Sequence, residues 1–191
     1  MSAFGKALGN GFSVSALAGQ REYMRLGGLD HFDKRRVFLL STTPGAETHA
    51  LAAAMATMKV YDEEPVIERL TAAGDRLRAG LGQAIARRGL GDYVTLSGRS
   101  VCLLYGTRGK DGQPSQAFRS LFLQEMTRRG VIAPSLTVSY SHSDADIDRS
   151  VEAIDGALEI YARALEDGAE KYLVGRPSQI VQRRFNRKTE G

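Results

Sequence analysis

A single lysine stands among glycines and small residues near the start of this 191-residue chain, in Phe4-Gly5-Lys6-Ala7-Leu8-Gly9-Asn10-Gly11-Phe12. Gly5, Gly9 and Gly11 make the stretch a poor helix and a poor strand, so the backbone is expected to turn sharply and to admit close approach. A lysine held in such a turn and desolvated loses its proton more readily, and the free amine can add to a carbonyl. On composition alone, a solvated lysine in a loose N-terminus is the commoner alternative.

The second candidate is Ser41-Thr42-Thr43-Pro44-Gly45-Ala46-Glu47-Thr48, which runs into the helix-favouring Ala50-Leu51-Ala52-Ala53-Ala54-Met55. Hydroxyls and unpaired backbone N–H groups at a helix start suit a phosphate. Ordinary helix capping by Thr42, Thr43 or Thr48 would use the same residue types. Other chemistries find less support. Cys102 lies in the apolar Val101-Cys102-Leu103-Leu104 and is expected to be a buried strand residue, not a nucleophile. His31, His49 and His142 have no metal-ligand spacing, so no metal site is expected, and His142 reads as a structural hydrogen-bonder. Gly9-Asn10-Gly11 is not continued into a dinucleotide fingerprint.

Composition sets the frame for these candidates. With 42% hydrophobic and 25% charged residues the chain can bury a core, and its longest apolar runs are far too short to span a membrane. A single cysteine and the lack of a signal-peptide pattern suggest the cytoplasm. The net charge of +4 owes much to Arg176, Arg183, Arg184, Arg187 and Lys188. That tail carries Phe185 as its one interleaved aromatic, and nucleic acid is not an expected partner.

The elements that would position the candidates can be read in order. Ser13–Gly19 and Val37–Leu40 are apolar enough for strands, with a helical turn over Gln20–Leu26 between them. Helical periodicity at Ile67, Leu70, Leu77, Leu81 and Ile85 predicts a helix over Glu63–Arg88, with Pro65 in its first turn and Gly89 and Gly91 ending it. Two strands around a turn at Gly98 follow, then a polar loop from Gly106 to Ser115. Next comes a helix whose inner face is Phe118, Leu121, Phe122 and Met126. Val131–Ala133 and Leu136–Tyr140 read as short strands. Ser143 and Asp146 form a capping box opening a last helix through Ile147, Val151, Ile154, Leu158, Tyr161 and Leu165. Strands interleaved with helices make this part α+β.

The lysine segment, continuing through Val14-Ser15-Ala16-Leu17-Ala18-Gly19 and Arg21-Glu22-Tyr23-Met24, resembles the cofactor-lysine segment of class III, fold-type I aminotransferases of the glutamate-1-semialdehyde aminomutase type. Thr42-Thr43-Pro44-Gly45 resembles the family's Thr-x-x-Gly, with Ala46-Glu47 where many relatives have Asn-Pro, and Ser141-His142-Ser143-Asp144-Ala145-Asp146-Ile147 resembles the segment opening the family's last helix. The resemblance implies an α/β and α+β fold matching the C-terminal part of such an enzyme. Its parts would be a remnant of the large pyridoxal-phosphate (PLP) domain over 1–64, a linking helix over 65–90, a small α+β domain over 91–168 and a basic tail over 169–191. It further implies PLP as cofactor on Lys6, which would be anchor and acid/base, with Thr42 or its understudy Thr43 binding the phosphate across a homodimer interface. The activity implied is amino transfer to or from an aldehyde or keto substrate, as transaminase or aminomutase. The family's phosphate cup and pyridine-binding aspartate precede its lysine, and neither is recognisable here. Ser139 stands about where many relatives carry a carboxylate-binding arginine, which leaves an amino sugar or an aldehyde-type substrate as open as an amino acid. A truncated, non-catalytic remnant serving as a dimerising or binding module is the alternative, with residues 1–60 expected to be less ordered than 65–167.

Overall fold

In the computed structural model, the structure describes residues 1–28, 33, 35–36 and 47–179. The chain divides into two compact units, Met1–Ile67 and Glu68–Gly191. The first unit opens with a small antiparallel pair, β1 (Ser2–Phe4) and β2 (Ala16–Ala18), in the register Ser2 to Ala18 and Phe4 to Ala16. A short helix α1 (Arg21–Met24) and a 3-10 turn over Arg25–Gly27 follow, as the sequence suggests. Helix α2 (Thr48–Glu63) buries Ala50 and Ala54. Thr48 is inside this helix and not its cap; Glu47 caps it, without a side-chain bond to the helix N–H groups. Val37–Leu40 lies outside the described residues, as do Thr42 and Thr43.

The helix expected over Glu63–Arg88 is present with a later start, and Glu63 is instead the last residue of α2. Glu64 is extended (φ −127°, ψ 150°), and α3 (Val66–Arg87) begins only after Pro65. The proline ring crowds the residue before it out of the helical region, so α2 must end there. Ile67, expected on the inner face, is exposed.

The second unit is built on a three-stranded antiparallel sheet, β3 (Val94–Arg99), β4 (Cys102–Thr107) and β5 (Leu136–Thr137), in that order. Gly98 lies within β3 opposite Leu103, at φ 82°, and the tight turn is Ser100-Val101. Alternation decides the faces: Leu103 and Leu136 point into the core, while Cys102 and its neighbour Thr137 are exposed, their side chains 3.6 Å apart. Cys102 is therefore a surface residue, against expectation, because a strand covered by helices on one face buries alternate residues only. Val131–Ala133 forms no strand. Its backbone wraps the end of the preceding helix instead, with Val131 N–H donating to the Met126 carbonyl at 3.0 Å.

Helix α4 (Gln116–Arg128) is capped by Ser115, whose hydroxyl accepts from the Phe118 N–H. Helix α5 (Asp144–Asp167) opens on the expected capping box: Ser143 Oγ accepts from Asp146 N–H at 3.2 Å, and Asp146 accepts from Ser143 N–H at 2.8 Å. The Ser143 hydroxyl, donating to Asp146 Oδ2 at 2.7 Å, and then the Ser143 N–H hold the Asp146 carboxyl below the usual carboxylate range. Leu77, Leu81, Leu103, Leu121, Met126, Ile154, Leu158 and Tyr161 make the centre of the core. Tyr161, fully buried, satisfies its hydroxyl by accepting from Arg108 N–H at 3.0 Å and donating to the Arg108 carbonyl at 2.6 Å. No helix among the described residues is long and apolar enough to cross a membrane.

One carboxylate is buried beneath more exposed partners. Glu125 is 3% exposed and accepts from Arg128 at 2.7 Å, Arg129 at 2.7 Å and Gln124 at 3.1 Å. Burial pushes its carboxyl up, but the Arg129 and Gln124 hydrogen bonds and the two guanidinium charges outweigh this and hold it below the usual range. A depressed folded pKa contributes stability that is present above the unfolded value, about 4.3, and is lost as pH falls through the folded one. Glu125→Gln should destabilise the second unit by about 1–3 kcal/mol at neutral pH. In thermal melts against pH, the gap to wild type should close below about pH 4; a gap independent of pH would show that the ionised carboxylate contributes nothing.

Candidate functional site

Lys6 begins a 3-10 turn over Lys6–Leu8 at the mouth of the loop between β1 and β2. The turn is closed by Leu8 N–H to Gly5 O at 3.2 Å and Asn10 N–H to Lys6 O at 3.1 Å, and Phe12 N–H to Gly9 O at 3.2 Å closes the next. Lys6 itself sits at φ 45°, as does Asn10, in the left-handed region that non-glycine residues rarely occupy. Such strain persists only where surrounding structure imposes it, and it collects at functional positions. Here the β1–β2 pairing fixes both ends of the loop, and Gly9 permits its tight interior. A Cβ on Gly9 would lie 2.3 Å from the Phe12 carbonyl oxygen and 2.6 Å from Val14 Cγ1.

The Lys6 side chain is exposed, so the described residues do not supply the desolvation expected from its glycine-rich setting. Beside it, the turn and α2 enclose an apolar groove of about 270 Å³, lined by Phe4, Gly5, Ala7, Leu8, Thr57, Met58 and Tyr61. The Thr57 hydroxyl donates within its own helix, to the Ala53 carbonyl at 3.0 Å. Farther along the loop, Phe12 meets the His49 ring edge-on at 5.5 Å between centroids, and His49 Nε2 is 3.1 Å from Glu47 Oε2. These contacts tie the lysine loop to the start of α2. Sequence reading missed them, though Ala50, Ala54, Thr57 and Tyr61 recur at the three- and four-residue steps that place one helix face toward the loop.

The donor chemistry of Lys6 fits an aldehyde group: an accessible primary amine on a backbone held in place. Thr42 and Thr43, expected to serve a phosphate, lie outside the described residues. His142 is placed as a hydrogen-bonder in the second unit, accepting from Ser139 N–H at Nδ1 over 3.2 Å.

No protein-family model matches the chain. It is 32% identical over 169 residues to a glutamate-1-semialdehyde 2,1-aminomutase of Desulforudis audaxviator, a match covering 83% of this chain and 38% of that protein. It is 30% identical over 141 residues to a 5-aminovalerate aminotransferase of Pseudomonas aeruginosa, covering 74% of this chain and 31% of that one. Among solved structures, the FumI protein of Sphingopyxis sp. MTA144, determined in its PLP internal aldimine form, matches at a TM-score of 0.69 and 25% identity, over 86% of this chain and 37% of the other. The fold is thus that of part of a PLP-dependent transaminase. More narrowly, its similarity is to class III, fold-type I aminotransferases and glutamate-1-semialdehyde aminomutases, and the partial coverage is consistent with the C-terminal half of such a protein. It spans well under half the length of the relatives it matches.

The strained turn gives a direct expectation. Gly9→Ala must displace backbone and should loosen the loop by about 1–3 kcal/mol, read as faster proteolysis or amide exchange over residues 1–28. Gly82→Ala in α3, where a Cβ meets open space, is the matched control and should leave exchange unchanged. Equal behaviour of the two variants would remove the case for an imposed turn.

Proposed function

We propose that the chain carries the lysine side of a PLP site and takes part in amino transfer to or from an aldehyde or keto substrate, as a transaminase or aminomutase. The observation that carries this reading is Lys6 itself: a lone amine in the left-handed region, at the mouth of a paired loop, within a chain whose relatives are aminotransferases and aminomutases. In this reading residues 1–64 belong to the large cofactor domain, 65–90 to a linking helix and 91–168 to the small domain. Bound PLP would supply an electron sink for the carbon bearing the amino group. Lys6 would hold it through Nζ and would move a proton at that substrate carbon, and Thr42, with Thr43 beside it, would bind the phosphate. The apolar groove of Phe4, Leu8, Met58 and Tyr61 lies beside the Lys6 turn and would offer an apolar wall to a group held there.

The reading places the chain in the cytoplasm as a homodimer. On α2, Leu51, Met55 and Met58 recur at steps of four and three and are all exposed, an apolar stripe suited to a second copy. Met55→Glu should then shift the sedimentation coefficient toward the monomer while far-ultraviolet dichroism stays unchanged. A wild type that is monomeric at all concentrations would end the dimer proposal.

Incubation with PLP, borohydride reduction and peptide mass analysis test the central claim. The expected result is the reduced cofactor on the Lys6 peptide, absent in Lys6→Ala and weakened several-fold in Thr42→Ala. Modification spread evenly over surface lysines, or none, would overturn it and favour the non-catalytic dimerising or binding module instead.

A further inference from the structure

The second unit ends in a segment that runs past α5 and lies along α4. After a 3-10 turn over Ala169–Lys171, Tyr172 and Leu173 pack partly against the core. Beyond them the contacts are of a different kind. Gln124 Nε2 donates to the Tyr172 carbonyl at 2.9 Å, and Gln124 Oε1 accepts from Val174 N–H at 2.8 Å. One side-chain amide thus pairs with both backbone groups flanking Leu173, as a neighbouring strand would. Four residues back on the helix, Ser120 Oγ accepts from Ser178 N–H at 2.9 Å and lies 3.0 Å from Ser178 Oγ. Four further back, Gln116 Oε1 accepts from Ser178 Oγ at 3.2 Å.

Gln116, Ser120 and Gln124 therefore form a polar row at i, i+4 and i+8, on one face of α4. Three of its bonds go to backbone atoms, of Tyr172, Val174 and Ser178, and two to the Ser178 hydroxyl, so its hold uses main chain and one small side chain. Apolar anchoring is slight: Val174 is 76% exposed, and Gly175, Arg176 and Ser178 are exposed as well. Solvent-accessible hydrogen bonds of this sort stabilise weakly, because water replaces each partner at little net cost.

We propose that Val174–Ser178 is a releasable strap, docked on the Gln116, Ser120 and Gln124 row and able to detach as one unit while the rest of the second unit stays folded. Its release bares a row that recognises extended peptide backbone, and its natural occupant is this segment of the same chain. The proposal stands apart from the PLP reading and uses none of the lysine loop.

Amide exchange on the full chain, followed by NMR at single residues, tests it. Val174 and Ser178 should exchange at least about tenfold faster than the buried α5 amides around Leu158, as expected for opening below the global free energy. Gln124→Ala and Ser120→Ala should each speed both amides by roughly three- to tenfold, although each removes the partner of only one, and should leave the α5 amides unchanged. Ser120→Ala does not touch the Glu125 cluster and so separates strap release from damage to the α4 end. Exchange of Val174 and Ser178 at the α5 rate in wild type would overturn the proposal. So would a variant that speeds only its own partner, since the segment would then fray residue by residue.

Discussion

Burial of the α5 stripe is the constraint on which the second unit rests. Ile154, Leu158 and Tyr161 are fully buried, and side chains of that size contribute about 1.5–3 kcal/mol each when removed from water. Tyr161 carries the same packing to the sheet, because its hydroxyl closes on both backbone groups of Arg108 just beyond β4, and Phe118 of α4 lies 4.6 Å from its ring. Burial pushes the phenol up, so it stays a neutral donor at any physiological pH. A helix, a strand end and a second helix are thereby fixed by one residue.

Charge is arranged around that core as a shell. Arg76 forks onto Asp148 at 2.7 and 2.6 Å, and Arg88 reaches Asp155 at 2.8 Å, joining α3 to α5 along their polar edges. The hydrogen bonds hold both carboxyls below the usual range. Exposed pairs of this type add little and serve chiefly to set register. Glu125 differs because the carboxylate itself is buried while its donors reach it from the surface, so the loss of one leaves a charge short of a partner. It also fixes the end of α4, from which the polar row receives the terminal segment.

The first unit follows another logic. Its described residues bury few side chains, chiefly Ala50, Ala54 and Val66, and it exposes Met1, Phe4, Phe12, Leu51, Met55 and Met58. What organises it is backbone: a three-residue ladder, two tight turns and a glycine that leaves no room for a methyl group. Such a unit presents an amine precisely placed by main-chain geometry rather than enclosed by side chains.

Much of this was written in the residues. The apolar steps of α4 and α5, the Ser143 and Asp146 cap, and the turn around Lys6 are local, since a helix face, a cap or a glycine turn is decided within a few positions. The lysine and threonine segments also carried the resemblance to aminotransferases, because a short motif is written in residue type and spacing. Tertiary structure decided the rest. Ile67 fell on the exposed side of α3, Cys102 fell on the open face of the sheet, and Val131 gave its N–H to the end of α4 instead of to a strand. None of these is visible in periodicity, because each depends on which neighbour is available to pair with a backbone group or cover a face. Sequence determined where the amine is and that it stands on a turn; only the fold decided that Lys6 is exposed, that Phe12 meets His49, and that α4 carries a row that holds the terminal segment.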